Sequence, residues 1–481
     1  MAETVSDPRR WRALAVLALV QFMIVIDSTI VNVALPSIQR DLQAPTSQLA
    51  WVVSGYVLMA GGLLLLGGRL SDLIGRRRLF LAGTALFALA SLACGLAPSI
   101  EVLIGSRFAQ GVGEAMASPA ALSLVALLFP DERERAQALG VWGGLSGMGA
   151  TVGVLLSGVL TNLLSWRWVF LINLPFALAA LLLVPRLIGR DEGQHSRQRI
   201  DLLGAVLVTG GLITLVNGLL NASRAPWGDP AVLVPLLLGL AALAAFVVVE
   251  ARSSAPLVPL RFFRNRTRVS ANIATVFLNS ALTAMFFLLT LYMQTVLGFS
   301  PLGTGLAYLP FCLAFIPGLA ISTQLTTRAG TKVAITVGFA VSALGMALLG
   351  RVPVNGSFVV DLLPAMLVLA VGMGISLPAL QTAALYGVSN TDAGLASGVQ
   401  TTVQQLGGAL GLAVLVTVAL IRQGALQASG VEQQTAATTG YQTAFWAAAA
   451  VLAVGAALVL LFVQQSRPPE PAGRPPEDAA A

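Results

Sequence analysis

Gly68-Arg69-Leu70-Ser71-Asp72-Leu73-Ile74-Gly75-Arg76-Arg77-Arg78 forms a short charged island between two apolar runs, near 49–68 and 79–97. Each run is about as long as the ~20 residues an α-helix needs to cross the hydrocarbon core of a bilayer. So short an island makes the chain turn straight back, and the two runs read as neighbouring spans. Working outward, the same pattern fills the chain. About fourteen apolar runs lie near 13–35, 49–68, 79–97, 102–128, 137–161, 167–185, 202–221, 230–249, 270–297, 303–325, 332–350, 358–386, 394–421 and 441–465.

Composition agrees. The 481 residues are 56% hydrophobic and 10% charged, with a mean hydropathy of +0.84, whereas soluble domains carry about 25% charged residues. Length alone would suggest about three soluble domains. Spanning runs that recur from end to end instead make this one polytopic, all-α integral membrane protein. Arg9, Arg10 and Arg12 precede the first run in the manner of a signal peptide. That run is too long and lacks a small-residue cleavage site before the next polar loop, so it reads as a retained helix.

With the N-terminus inside and fourteen spans, 22 of the 28 Lys and Arg fall on the inner side. Five lie outside (Arg40, Arg167, Arg224, Arg351, Arg422) and Arg107 lies within the membrane. This asymmetry obeys the positive-inside rule. It predicts a multi-pass protein of the cell inner (plasma) membrane with both termini cytoplasmic. The net charge of +7 is then mostly topology, with anionic inner-leaflet lipid as the partner. Nucleic acid is not, because the basic residues are scattered over many short loops.

Rare residues exclude several chemistries. Lys332 is the only Lys and follows Thr331, so no Gly-Lys-Ser/Thr phosphate loop exists. His195, the only His, sits in the polar stretch Arg190 to His195 and reads as a solvated loop residue, with no His cluster for a metal. Cys94 and Cys312 fall in different apolar runs and read as small core residues rather than a disulfide. The chain is therefore not read as an enzyme and needs no cofactor; a gradient must supply the energy if transport is active.

The most polar internal linker, about 186–200, follows span six, and a charged loop, Arg261-Phe262-Phe263-Arg264-Asn265-Arg266-Thr267-Arg268, precedes span nine. Two spans thus stand apart between two groups of six. A faint echo of the opening island, Thr327-Arg328-Ala329-Gly330-Thr331-Lys332, follows the second span of the last group and suggests internal duplication. The predicted division is 1–186 for an N-terminal six-helix bundle and 187–250 for a linker with two extra helices. The rest, 251–481, is a loop, a C-terminal six-helix bundle and a tail. Repeated bundles around a central cavity are a common transporter construction.

Asp27 lies in an apolar run, within Asp27-Ser28-Thr29-Ile30-Val31-Asn32-Val33-Ala34-Leu35-Pro36. A carboxylate at that depth must be neutralised, paired or wetted. Further stretches stand in order behind it: Leu103-Ile104-Gly105-Ser106-Arg107-Phe108-Ala109-Gln110-Gly111-Val112-Gly113, then Trp166-Arg167-Trp168-Val169-Phe170-Leu171-Ile172-Asn173-Leu174-Pro175, then Gly394-Leu395-Ala396-Ser397-Gly398. With residues 68–78, these resemble the motifs of the major facilitator superfamily, of its fourteen-helix drug:proton antiporter type. The resemblance implies the major facilitator fold and alternating access, in which two six-helix bundles rock about a midplane cavity and export substrate as protons enter. It also implies a monomer.

On that reading Gly68, Asp72, Gly75, Arg76 and Arg77 form a conformational latch. Asp72 pairs with Arg or a helix N-terminus, and the arginines bond acidic groups or carbonyls; alternatively the arginines only fix topology. Helix five departs from the family pattern. Gly153-Val154-Leu155-Leu156-Ser157-Gly158 stands where Gly-Pro followed by Gly-Gly is usual. Without Pro a backbone donor returns and any kink lessens, while Gly149, Gly153 and Gly158 leave room for close helix contact.

In span four, Arg107, Gln110, Gly111 and Glu114 share one helix face, and Glu114 lies about 10 Å deeper than Arg107 at ~1.5 Å per residue. Asp27 falls at a depth between them. The three charges are expected to face one cavity, with Asp27 exchanging a proton, Arg107 favouring its charged form when close, and Glu114 competing for a cation. The structural alternative is a permanent ion pair joining helices one and four. Asn32, Gln110, Asn279, Phe286 and Met293 are candidate cavity residues. Of these, Asn279, Phe286 and Met293 continue a sevenfold stripe from Asn272. They either line the cavity or bond neighbouring helices.

The function read here is proton-coupled export of amphipathic or cationic organic compounds, as in multidrug efflux and antibiotic resistance. The alternatives are an exporter dedicated to one endogenous metabolite and a non-transporting membrane sensor or structural protein.

Overall fold

The computed structural model describes residues 9–189, 201–253, 255–388 and 392–464. The polar stretch holding His195 and the tail from 465 lie outside the described residues. Fourteen helices are long and apolar enough to cross a membrane. They are α1 (Arg10–Leu42), α2 (Thr46–Ile74), α3 (Arg76–Gly95), α4 (Ile100–Leu128), α5 (Arg133–Leu163), α6 (Trp168–Leu187) and α7 (Leu202–Asn221). Then follow α8 (Pro230–Arg252), α9 (Arg266–Val296), α10 (Pro301–Ala329), α11 (Thr331–Leu349), α12 (Phe358–Ala384), α13 (Gly394–Ala428) and α14 (Gln433–Phe462).

Several of these helices start where a side chain satisfies first-turn amides that would otherwise lack partners. Ser99 caps α4, Asp131 caps α5, Asp201 caps α7, Asp229 followed by Pro230 caps α8, Asn265 caps α9, and Ser300 followed by Pro301 caps α10. Some helices outrun their apolar cores. α1 continues to Leu42 and α14 begins at Gln433, because a backbone leaving the membrane keeps its hydrogen bonds internal until water can replace them.

Helices α1–α6 pack together, as do α9–α14, and α7 pairs with α8 while resting on α2 and α13. The two bundles meet where α2 crosses α13, where α1 meets α9, and where α5 meets the first turns of α10. Fourteen being even, α1 starts and α14 ends on one face, the terminal face; the other is the far face.

The echo in the sequence extends to the packing. A Cβ on Gly83 of α3 would stand 2.8 Å from the Gly113 carbonyl of α4, and one on Gly338 of α11 would stand 2.8 Å from the Gly372 carbonyl of α12. The third and fourth helices of each bundle are therefore pressed together through equivalent glycine contacts.

Residues 68–78 are not the loop expected from their polarity. α2 runs on to Ile74 and α3 starts at Arg76, so Gly75 alone joins them, at φ +103°. Gly330 joins α10 to α11 in the same way at φ +88°. Only glycine adopts such angles without strain, which explains one glycine in each otherwise charged turn.

Candidate functional site

Asp27 is completely buried and Arg107 is 1% exposed. Arg107 Nη1 donates to Asp27 Oδ2 at 2.5 Å, and two amides donate to Asp27 Oδ1, Gln110 Nε2 and Asn173 Nδ2, both at 2.7 Å. The carboxylate thus accepts from α1's neighbours α4 and α6 with three donors, a set suited to its ionised form. Arg107 is held in turn: Nε donates to the Val52 carbonyl at 3.0 Å, Nη1 reaches Gln110 Oε1 at 2.7 Å, and the Tyr56 ring lies 4.0 Å from its guanidinium carbon. Ser91 of α3 accepts from Gln110 at 2.8 Å and from Asn173 at 3.3 Å.

Ser91 and Asn173 go beyond the site residues expected from sequence. Asn173 lies inside the quoted Trp166–Pro175 stretch, so a signal was present. Its place is made by a break at Ile172, where a short helix, Trp168–Leu171, gives way to Asn173–Leu187. Asn173 Oδ1 is buried without a hydrogen-bond partner; turning that amide would offer an acceptor to a protonated Asp27.

Glu114 is not part of this network, although it was expected to face the same cavity. It is buried, and Oε1 accepts from Gln405 Nε2 of α13 at 3.3 Å, which joins the two bundles. Tyr56 adjoins it, but neither the Tyr56 hydroxyl nor Glu114 Oε2 makes a hydrogen bond of regular geometry. Arg107 and Glu114 share α4, yet one turns into the first bundle and the other toward the second.

The candidate cavity residues are dispersed. Gln110 belongs to the Asp27 network. Asn32 Nδ2 donates to the Thr29 carbonyl at 3.3 Å and Asn279 Nδ2 to the Thr275 carbonyl at 2.9 Å, each within its own helix. Phe286 stacks on Tyr308 and Phe311 of α10. Met293 is fully buried at the start of a π turn, Tyr292–Val296, where the regular register of α9 ends. Two cavities, of about 500 and 520 Å³, lie elsewhere and are lined by none of these five residues.

The latch residues act mainly inside the first bundle. Asp72 Oδ1 and Arg76 Nη2 are 3.2 Å apart, and Arg77 Nη2 reaches the Pro185 carbonyl of α6 at 3.2 Å. Arg69, outside the expected latch set, points to the second half, its Nη2 3.5 Å from the Pro256 carbonyl in the α8–α9 connection. Gly68 stands open, its nearest neighbour Pro119 at 4.0 Å from an added Cβ. In α5, Gly149 and Gly153 face α1, whereas Gly158 faces α10: a Cβ there would be 2.8 Å from the Pro301 carbonyl. Gly305 of α10 returns the contact, 3.0 Å from the Val154 carbonyl. On the far face, Gln294 of α9 also donates to the Val33 carbonyl of α1 at 2.9 Å.

Two related bundles of membrane-spanning helices, with a sealed ion pair in the first and polar links across their junction, define a polytopic membrane transporter. Residues 17–412 match the Major Facilitator Superfamily, and the chain belongs to that family. It is 42% identical over 416 residues to the lincomycin resistance protein of Streptomyces lincolnensis, covering 86% of each chain. It is 40% identical over 409 residues to the cephamycin export protein CmcT of Amycolatopsis lactamdurans, covering 84% of each. In fold it is similar to a bacterial homolog of the human lysosomal transporter Spinster, solved inward-facing and occupied: the TM-score is 0.66 at 17% identity, over 95% of this chain and 97% of that one.

Proposed function

We propose that the protein exports amphipathic organic compounds and that protons entering through Asp27 drive the cycle. The observation that carries the reading is the buried Asp27–Arg107 pair, bridged by Gln110, with Asn173 donating only to the carboxylate of the pair. An ionised pair so enclosed ties α1 to α4. A proton on Asp27 would remove the charge that holds Arg107, leave that guanidinium with the Val52 and Gln110 oxygens and the Tyr56 ring, and loosen the two helices. Loss of the proton on the opposite side would restore the tie. The resistance and export relatives support small-molecule cargo. Glu114, buried at the junction of the bundles with one oxygen lacking a regular partner, is the group suited to a cationic cargo.

The distribution of Lys and Arg supports placing the terminal face in the cytoplasm. The far-face contacts of α5 with α10 and of α1 with α9 then close the outer side. The protein works as a monomer in the plasma membrane, surrounded by lipid and powered by the proton gradient without a cofactor. Proteoliposomes test this: with an imposed proton gradient and a fluorescent cation, uphill movement is expected. Its absence across a broad substrate panel would end the proposal.

A further inference from the structure

The cavity of about 500 Å³ lies between the first bundle and the α7–α8 pair, toward the far face. Its position follows from how α7 is pinned to α2. Near mid-membrane, Thr209 packs on Gly62, where a Cβ would stand 2.4 Å from the threonine hydroxyl. At the far face, Arg224 donates to the Ser47 hydroxyl. Between those two points the helices part. The outer wall is α8, which is little buried and packs chiefly on α7, so one helix separates the space from surrounding lipid.

The lining changes along its depth. Ser47, Asn221 and Arg224 stand at the far-face end; Trp51, Phe108 and Ile213 lie deeper, with the Trp51 and Phe108 rings 5.8 Å apart and tilted by 48°. Asn217 adds an amide between the two zones. Arg224 is the one charged side chain on the wall. The volume falls within the ~300–1,000 Å³ range of small-molecule sites, which combine apolar walls with a few placed polar groups. A guanidinium at headgroup depth offers several donors in a plane to phosphate or carboxylate, and Ser47 engages only one of its nitrogens.

We propose that this cavity is a binding site for an anionic amphiphile, its phosphate or carboxylate on Arg224 and its apolar body between Trp51, Phe108 and Ile213. The α7–α8 pair, which lies outside both six-helix bundles, would thereby complete a ligand site with the first of them. The site is separate from the Asp27 network and needs neither the orientation nor the proton coupling proposed above. One neighbouring group opposes an anion there. Glu101 accepts from Gln48 Nε2 at 3.4 Å beside the mouth, and this gives the proposal a sign that can be measured.

The test uses the purified full chain, stripped of lipid in detergent and titrated with phosphatidylglycerol or phosphatidylcholine while native mass spectrometry counts the lipids retained. Phosphatidylglycerol is expected to bind at least tenfold more tightly. Arg224→Gln should abolish the preference, Glu101→Gln should widen it, and Arg351→Gln, a far-face arginine in the other bundle, should leave it unchanged. Ile213→Trp fills the cavity without altering charge and should displace the lipid; monodispersity and thermal midpoint of each variant guard against misfolding. A transported carboxylate dye separates the two sources of such a ligand. If it displaces the lipid from the parent protein and not from Arg224→Gln, the site takes exported compounds; if it does not displace it, the site takes membrane lipid. Equal retention of both lipids by the parent, a preference that survives Arg224→Gln, or unchanged retention in a folded Ile213→Trp would overturn the proposal.

Discussion

Asp27→Asn removes one charge from the centre of the network while keeping the shape of the side chain. Breaking a buried ion pair by neutralising one partner costs about 3–5 kcal/mol, mostly because the other charge is left unpaired. The local partners place this case near the lower end. Arg107 retains the Val52 carbonyl, Gln110 Oε1 and the Tyr56 ring, and the new amide oxygen can still accept from Nη1. The new NH2 group would meet the donors of Gln110 and Asn173, but Asn173 Oδ1 has no partner, so turning that amide removes one of the two clashes. A loss of about 3 kcal/mol is therefore expected in reversible unfolding of the purified protein. Asp27→Asn combined with Arg107→Gln should recover much of it, and the double-mutant cycle isolates the pair. In proteoliposomes, gradient-driven uptake by Asp27→Asn should fall to background while substrate counterflow, which needs no net proton movement, persists. Full gradient-driven uptake in that variant would refute the carrier role of Asp27, whatever its stability.

Gly153→Ala should destabilise by about 1–3 kcal/mol through overpacking, because the added carbon would stand 2.1 Å from Thr29 Oγ1; Thr29→Ala should relieve much of that loss in thermal unfolding. Gly158→Val should weaken far-face closure between α5 and α10, read as reduced disulfide trapping across that contact and slower transport with expression maintained. Gly75→Ala and Gly330→Ala should each cost about 1–3 kcal/mol for backbone strain, measured as denaturation midpoints, with little effect on which compounds are carried. Glu114→Gln should lower transport of cationic compounds at least several-fold and spare neutral ones; equal loss of both would assign Glu114 to holding the bundles together through Gln405.

Membrane insertion leaves a strong imprint on a sequence, and so the fourteen spans and the exceptional Asp27 and Arg107 were legible in it. A charge in an apolar run stands out whatever it later touches. What those charges touch is decided by packing between helices distant in the chain: Ser91 and Asn173 are unexceptional polar residues until α3 and α6 bring them to Asp27. Glu114 shows the converse: it shares a helix face with Arg107, yet its hydrogen bond goes to Gln405 of α13 and not into the Asp27 network. The π turn that ends α9 had no signature in the heptad count, which assumes regular helix throughout. The cavity beside α7 left no motif at all; it exists because two pinning points leave a gap.

The single-glycine joints at Gly75 and Gly330 also limit how the molecule can move. One residue spans only about 3.8 Å between successive Cα atoms, so α2 and α3 cannot draw apart at the terminal face and can only swing about the joint. α2 bears on α13 of the other bundle, while α3 carries Ser91, fifteen residues beyond its first residue and thus about 22 Å along the helix at ~1.5 Å per residue. The hairpin is a lever with its fulcrum at Gly75. A few degrees of tilt imposed where the bundles meet become an ångström-scale displacement at the hydroxyl that braces the Asp27 network.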